Sequence, residues 1–301
     1  GKGAIVQDIY GKEYIDCGGG MKRLRYLTLL ILGLMLLLMW LPLWMLVTGS
    51  FMGIGEVRDC IGPVLGQREG YAVWHLIPRY PTLRPYVELL LDTPRFFLMF
   101  WNSCIQVIPG VAGQLIIALP AAWSFARFQF PGKRALFLLY ITLMIMPFQV
   151  TMVSSYLILD RLGLMNTHLA LIVPMLFSTF PMFIIEKSFK AIPPSLIEAA
   201  KIDGAGEMKI FLHIGVPMGA SGIISAGVLG FLENWNAIEQ PITFLKDKAL
   251  WPLSLYLPDI AMDQLGVAMV ACVIAMMPGL LLFLFGQKYI EEGIVASGIK
   301  E

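Results

Sequence analysis

Charge is scarce in this chain. Only 14% of its 301 residues are charged, against 57% that are hydrophobic. The net charge is +1 and no basic cluster suggests a nucleic-acid partner. Cysteine is scarce too. Cys17, Cys60, Cys104 and Cys272 are scattered without metal-ligand spacing and suggest no disulfide framework. The three histidines, His75, His168 and His213, are far apart and read as loop or interface residues rather than metal ligands or catalysts. There is no GxxxxGK[ST] phosphate loop, no HExxH and no GxSxG nucleophile elbow. No apolar run holds a pair of acidic residues, the usual mark of a proton- or sodium-coupled carrier. These absences leave the chain without a catalytic residue set, a metal site or an evident engine of its own. If it drives transport, the energy comes from a partner.

What is present is hydrophobic length. Runs of about 20 apolar residues recur, enough to cross a bilayer core, and the chain reads as an all-α membrane protein with six transmembrane helices. The spans are expected at about 26–47, 97–125, 135–159, 168–185, 217–231 and 265–285. Lys22, Arg23 and Arg25 precede the first span and place that flank in the cytoplasm by the positive-inside rule. With six spans both termini are cytoplasmic. The short inside segments then carry Arg127, Lys133, Arg134, Lys187, Lys190, Lys201 and Lys209 as well, while the short outside ones carry Arg161, Lys246 and Lys248. Residues 48–95 form a long mixed-charge segment outside, with a short amphipathic helix expected around 86–91.

Residues 1–20 look foreign to the rest. They alternate short apolar pieces with Gly, Asp and Lys, as a soluble β-hairpin does. GKEYID resembles the N-terminal hairpin of class III aminotransferases, over too short a stretch to imply an enzyme. This segment is expected to be an added upstream piece outside the membrane domain, 21–301.

Several spans carry polar or helix-breaking residues. Gln106, Gln149 and Asn236 are candidates to line a solute path, and Pro147 is expected to break the third span. The fifth is rich in Gly, Ala and Ser, which permits close helix contact. Trp235, beside Asn236, reads most simply as an interfacial aromatic anchor, with an outer gate or a partner contact as alternatives.

The most polar long stretch between the later spans is 193–217, PPSLIEAAKIDGAGEMKIFLHIGVP. It reads as helix, turn, helix. Ser195 and Glu198 have capping-box spacing. Leu196, Ala199 and Ala200 are expected on one face, Asp203-Gly204 marks a turn, and Asp203 is placed to cap the second helix. A short amphipathic helix between spans suits docking to a soluble partner.

EAAKIDGAGEMKIFLHIGVP, residues 198–217, resembles the EAA loop of bacterial ABC importer permeases, with Val216 where the family usually has Leu. NSCIQ, FARFQFPGKRALF, MIMPFQVTMV, LGLMNTHLALIVP, FLENWNAIEQP and FGQKYIEEGIVASGIK extend the likeness over roughly 95–300, toward the carbohydrate-uptake, maltose-type branch. The resemblance implies a type I ABC importer permease fold with a cytoplasmic coupling helix, in the bacterial inner membrane. It implies a non-catalytic subunit that forms half of a pathway for a sugar or sugar-like solute. The implied partners are a second permease, in this family usually a different chain, two cytoplasmic ATPase subunits and an extracytoplasmic solute-binding protein, beside membrane lipid. ATP and Mg would sit on the ATPase and no cofactor on this chain. Glu198, Ala199, Ala200, Asp203, Gly204 and Ala205 would couple to the ATPase, and the tail residues Gln287, Tyr289, Glu291 and Gly293 would reach it. The rival readings are a stand-alone carrier or channel, which needs ionisable groups within the spans, and a membrane-embedded enzyme, which needs a reactive set that the chain lacks.

Overall fold

The computed structural model describes residues 5–7, 13–15, 18–61, 63–64, 71, 73, 75–256 and 264–298; Cys17 and the last three residues of the tail lie outside them. The chain divides into two units, Gly1–Pro85 and Tyr86–Glu301.

In the first unit Ile5–Gln7 (β1) and Glu13–Ile15 (β2) pair antiparallel, Val6 opposite Tyr14. Helix α1 (Gly18–Ser50) follows, and its stretch Arg25–Ser50 is long and apolar enough to cross a membrane. Its leucines are exposed, from Leu27 to Leu43. Trp44 Nε1 donates to the Leu76 carbonyl at 2.9 Å. The short helix α2 (Ile54–Ile61) buries Val57 and Cys60.

The second unit is a helical bundle built around one long helix. Its elements are α3 (Arg84–Leu91), α4 (Pro94–Arg127), α5 (Lys133–Ile145), α6 (Phe148–Arg161), α7 (Leu169–Leu176) and α8 (Phe180–Ala191). Then come α9 (Pro194–Ile202), α10 (Glu207–Ile210), α11 (Val216–Met218), α12 (Ala220–Trp235), α13 (Glu239–Phe244) and α14 (Leu265–Gly298). Helix α4 packs against α7, α8 and α12, and α12 packs against α8 and α14. Among the described residues of the chain, four helical stretches pass the length and hydropathy test for a span, or six if two bent pairs each count as one.

The bends have local causes. The 100° bend between α5 and α6 falls at Met146-Pro147. Proline supplies no N–H, and its ring pushes the preceding residue out of the helical region; Met146 accordingly sits at φ −66, ψ 122. The expected fifth span, 217–231, is one arm of a second bent pair, Glu207–Met218 with Ala220–Trp235, bent by 70°. The fourth span runs on to Ala191, six residues past its expected end, with α7 and α8 separated at Phe177–Thr179. The sixth continues beyond Phe285 as one helix to Gly298, so the tail prolongs the span.

Small residues let α12 approach its neighbours. A Cβ on Gly222 would lie 2.4 Å from the Ser188 Cβ of α8, a separation that atoms do not tolerate. Without a strong hydrophobic force between helices in lipid, such packing contacts hold the bundle.

Candidate functional site

Two places in the second unit carry chemistry: the α9–α11 segment at one end of the bundle, and a polar cleft beside the helix breaks.

The α9–α11 segment is held from within. Ile197 and Ile210 are buried with Ala122, Trp123, Met182, Ile185, Phe189 and Ile192, the ends of α4 and α8. Trp123 meets Phe189 edge-on at 5.2 Å between ring centres and Phe211 at 5.6 Å. Arg127, the last residue of α4, donates through Nη2 to the carbonyls of Phe189 and Ile192 at 2.5 and 2.7 Å. Those oxygens belong to the last turn of α8 and the residue after it, so a cation from another helix closes them off. The guanidinium also lies over the Trp123 ring, 5.6 Å from its centre. The entry to α9 is thereby fixed to α4.

Helix α9 starts differently from the capping-box expectation. Pro193 is the N-cap (φ −58, ψ 133) and Pro194 the first helical residue, with no side-chain cap. Proline at the first position removes one of the unsatisfied N–H donors and has its φ preset, so the helix starts there and Ser195 falls inside it. The end of α9 is a Schellman turn. The N–H of Gly204 bonds to Lys201 O and that of Ala205 to Ala200 O, each at 3.0 Å, with Gly204 at φ 77. Asp203 is thus the C-cap of α9, while Gly206 precedes α10 and gives it no side-chain cap; the expectation that Asp203 caps the next helix is corrected. Lys201 and Glu207 form an ion pair across the turn at 2.6 Å.

The two faces of α9 are distinct. Ile197 is buried and Ala200 and Ala205 pack partly against the core. Leu196, Glu198, Ala199, Ile202, Asp203 and Gly204 are exposed, Ile202 at 86%. Leu196 and Ala199 therefore do not share their face with Ala200, as the spacing suggested: Ile197 and Ala200, three apart, take the inner face. Among the described residues the Glu198 carboxylate has neither an ion pair nor a hydrogen bond. The segment leaves through a π-helical turn, Phe211–Gly215, in which the Val216 N–H reaches Phe211 O. Pro217, which has no N–H, interrupts the ordinary ladder one residue later.

The path candidates are not brought together. Gln106 is buried; its Nε2 donates to Leu250 O at 2.8 Å and lies 3.0 Å from His168 Nδ1. Asn102 and Ser103 join it, with Asn102 Nδ2 on the carbonyls of Ala249 and Trp251 and Ser103 Oγ accepting from the Leu253 N–H. These three α4 residues clamp the backbone of 249–253. Gln149 is exposed and donates to both carboxylate oxygens of Glu239, at 2.6 and 2.7 Å. Asn236 is exposed, donates to Leu232 O and borders a second cleft with Ser254 and Cys272. Trp235 is no interfacial anchor. It is buried, stacked on Phe231 at 5.2 Å, and its indole donates to Ala275 O of α14 at 3.0 Å. Its place at the α12–α14 contact explains why the ring faces inward. Of the tail residues, Gln287 and Glu291 are exposed, Tyr289 is half-buried and Gly293 lies within α14.

Two carboxylates inside span helices are not evident from hydropathy, because the fourth and fifth spans end later than it suggests. Glu186 is fully buried in α8 and pairs with Lys190 one turn on. Both border a cleft of about 890 Å³ with Gln129, Lys133 and Arg134. Glu233, in the last turn of α12, borders a different cleft of about 380 Å³ at the α5–α6 and α7–α8 breaks.

Comparison with known proteins agrees with this architecture. Residues 114–295 match the family model described as the binding-protein-dependent transport system inner membrane component. A probable ABC transporter permease of Pyrococcus horikoshii is 32% identical over 237 residues, 76% of this chain and 85% of that one. The lactose transport system permease of Rhizobium radiobacter is 30% identical over 210 residues, 69% and 76% of the two chains. A chain from the crystal structure of a bacterial ABC transporter involved in the import of the acidic polysaccharide alginate superposes with a TM-score of 0.76, at 18% identity, covering 89% of this chain and 96% of that one. The fold is that of an ABC importer permease, and the protein belongs to the family of inner membrane components of binding-protein-dependent transport systems.

Proposed function

We propose that this chain is one of two permease subunits of an ATP-driven importer in a bacterial inner membrane, forming half of the path for a sugar or sugar-like solute. The α9–α11 segment faces the cytoplasm and couples the path to a pair of ATPase subunits, while a solute-binding protein delivers from outside. The observation that carries this reading is the two-faced character of α9. Its inner face is anchored by Ile197, Ala200 and Ala205, and its outer face presents Leu196, Ala199 and Ile202 beside an unpaired Glu198. Apolar and small side chains around the Glu198 carboxylate, with exposed Asp203 beyond, suit a partner's cleft, where a cation can engage the carboxylate. The anchoring makes α9 a lever. A displacement of it reaches α4 and α8 through Arg127, Trp123 and Phe189, without a loose joint between.

The family match over 114–295 and the names of relatives that move lactose and other solutes support the sugar assignment. The chain itself has no nucleotide-binding loop, so hydrolysis of ATP falls to the partner. Co-purification of the epitope-tagged chain with its ATPase tests the docking face. Ala199→Trp, which enlarges the exposed face and touches nothing inside, is expected to cut recovery of the ATPase at least fivefold while membrane insertion is kept. Equal recovery would remove α9 from the contact.

A further inference from the structure

The cleft at the helix breaks has the makings of a solute contact. It lies where α5 gives way to α6 and α7 gives way to α8, and the last turn of α12 closes it. Thr151, Ser155, Ser178, Thr179, Glu233, Asn234 and Gln240 supply its polar lining. Non-helical backbone within a span is tolerated where it is buried in protein or borders a water-filled cavity, and an ionisable side chain inside a span marks a functional position by default. Its volume of about 380 Å³ falls in the range of small-molecule sites.

Glu233 differs from Glu186. Glu186 is buried and neutralised by Lys190. Glu233 is exposed, and among the described residues its carboxylate has no ion pair and no hydrogen-bond partner. Glu239, six residues on, is already engaged by Gln149. Asn234 is held by its own helix, donating to Gly230 O at 2.7 Å, which leaves its side-chain carbonyl to accept. The cleft thus offers hydroxyl groups, the amides of Asn234 and Gln240 and one free carboxylate, with no lysine or arginine among the described residues of its wall.

We infer that Glu233 touches the solute in transit and selects hydroxyl-rich solutes that carry no negative charge. A carboxylate accepts hydrogen bonds from two adjacent sugar hydroxyls in the strong, charge-assisted form, and Ser178 and Thr179 can serve either as donors or as acceptors. A uronate or phosphate in the same cleft meets a like charge and finds no cation in the wall to offset it. This inference rests on the reading of the chain as an importer subunit and adds to it the charge class of the cargo.

The test uses the complete complex, with the partner permease, ATPase and binding protein, in proteoliposomes. Uptake of labelled lactose, diacetylchitobiose, sn-glycerol 3-phosphate and digalacturonate is measured for the wild type, Glu233→Gln and Glu233→Ala. The wild type is expected to move a neutral sugar at least tenfold faster than either anion. Glu233→Ala is expected to lose at least tenfold of that rate and Glu233→Gln less, with binding-protein-stimulated ATP hydrolysis retained in both. Faster uptake of an anion than of both neutral sugars by the wild type, or uptake by Glu233→Ala within twofold of wild type, would overturn the inference and leave the importer reading standing. Loss of subunits from the purified Glu233→Ala complex would also overturn it, by assigning the residue to assembly. Absence of ATP-dependent uptake of all four by the wild type would remove the importer reading and this inference together.

Discussion

At the scale of single residues, the α9–α10 turn depends on one backbone angle. Gly204 sits at φ 77, and a Cβ built there meets nothing within 4 Å. A substitution is therefore penalised through the backbone and not through a clash. Gly204→Val is expected to cost about 1–2 kcal/mol of local stability and to reduce uptake at least tenfold in cells that still insert the chain. Gly204→Asn, which tolerates the left-handed region, should keep most activity, and Gly206→Ala, at φ −69 with open space around it, should be neutral. Arg127 offers a second residue-level test. Arg127→Ala leaves the carbonyls of Phe189 and Ile192 without their donor and is expected to destabilise by about 1.5–3 kcal/mol, read as a lower thermal midpoint of the purified complex. Arg127→Lys should recover only part of this, because an ammonium lacks the planar fork. The sequence shows Asp203-Gly204 as a turn by itself. It does not show Arg127 as the clasp, because 62 residues separate it from Phe189 and no local pattern links them.

At the scale of elements, hydropathy locates the helices but not their ends or bends. Pro147 announces the break of the third span because proline acts locally. The continuation of α8 through Glu186 and Lys190 is hidden, since an ion pair one helical turn apart looks like a loop to any scale that counts charge. Gln106 reads as a path residue from composition. It proves to be a clamp on 249–253 because its partners lie about 144 residues away. The small residues of α12 do announce close contact, and the contact can be measured. Gly222→Ala would bring a Cβ to 2.4 Å from Ser188. It is expected to cost about 1–3 kcal/mol by overpacking, seen as a lower unfolding midpoint in detergent. Pairing it with Ser188→Gly should restore much of the loss, because removing the Ser188 side chain vacates the contested space; no recovery would place the strain elsewhere.

At the scale of the whole molecule, the proposed topology sets α9 and the end of α14 on one side of the membrane and the segment 245–250 on the other. In a variant without its four native cysteines, single cysteines at Ala199 and Lys288 should react with an impermeant maleimide only in inside-out vesicles. One at Asp247 should react only from the outside. The most direct test of coupling through α9 is reconstituted uptake. The chain is placed in liposomes alone, and with its partner permease, ATPase and binding protein, as wild type and as Glu198→Lys. Uptake is expected only from the complete set with ATP, and Glu198→Lys is expected to lose at least tenfold of it while the subunit inserts and the partner permease remains bound. Robust uptake by the chain alone, or unchanged ATP-dependent uptake in Glu198→Lys, would contradict the claim that this permease is driven through α9.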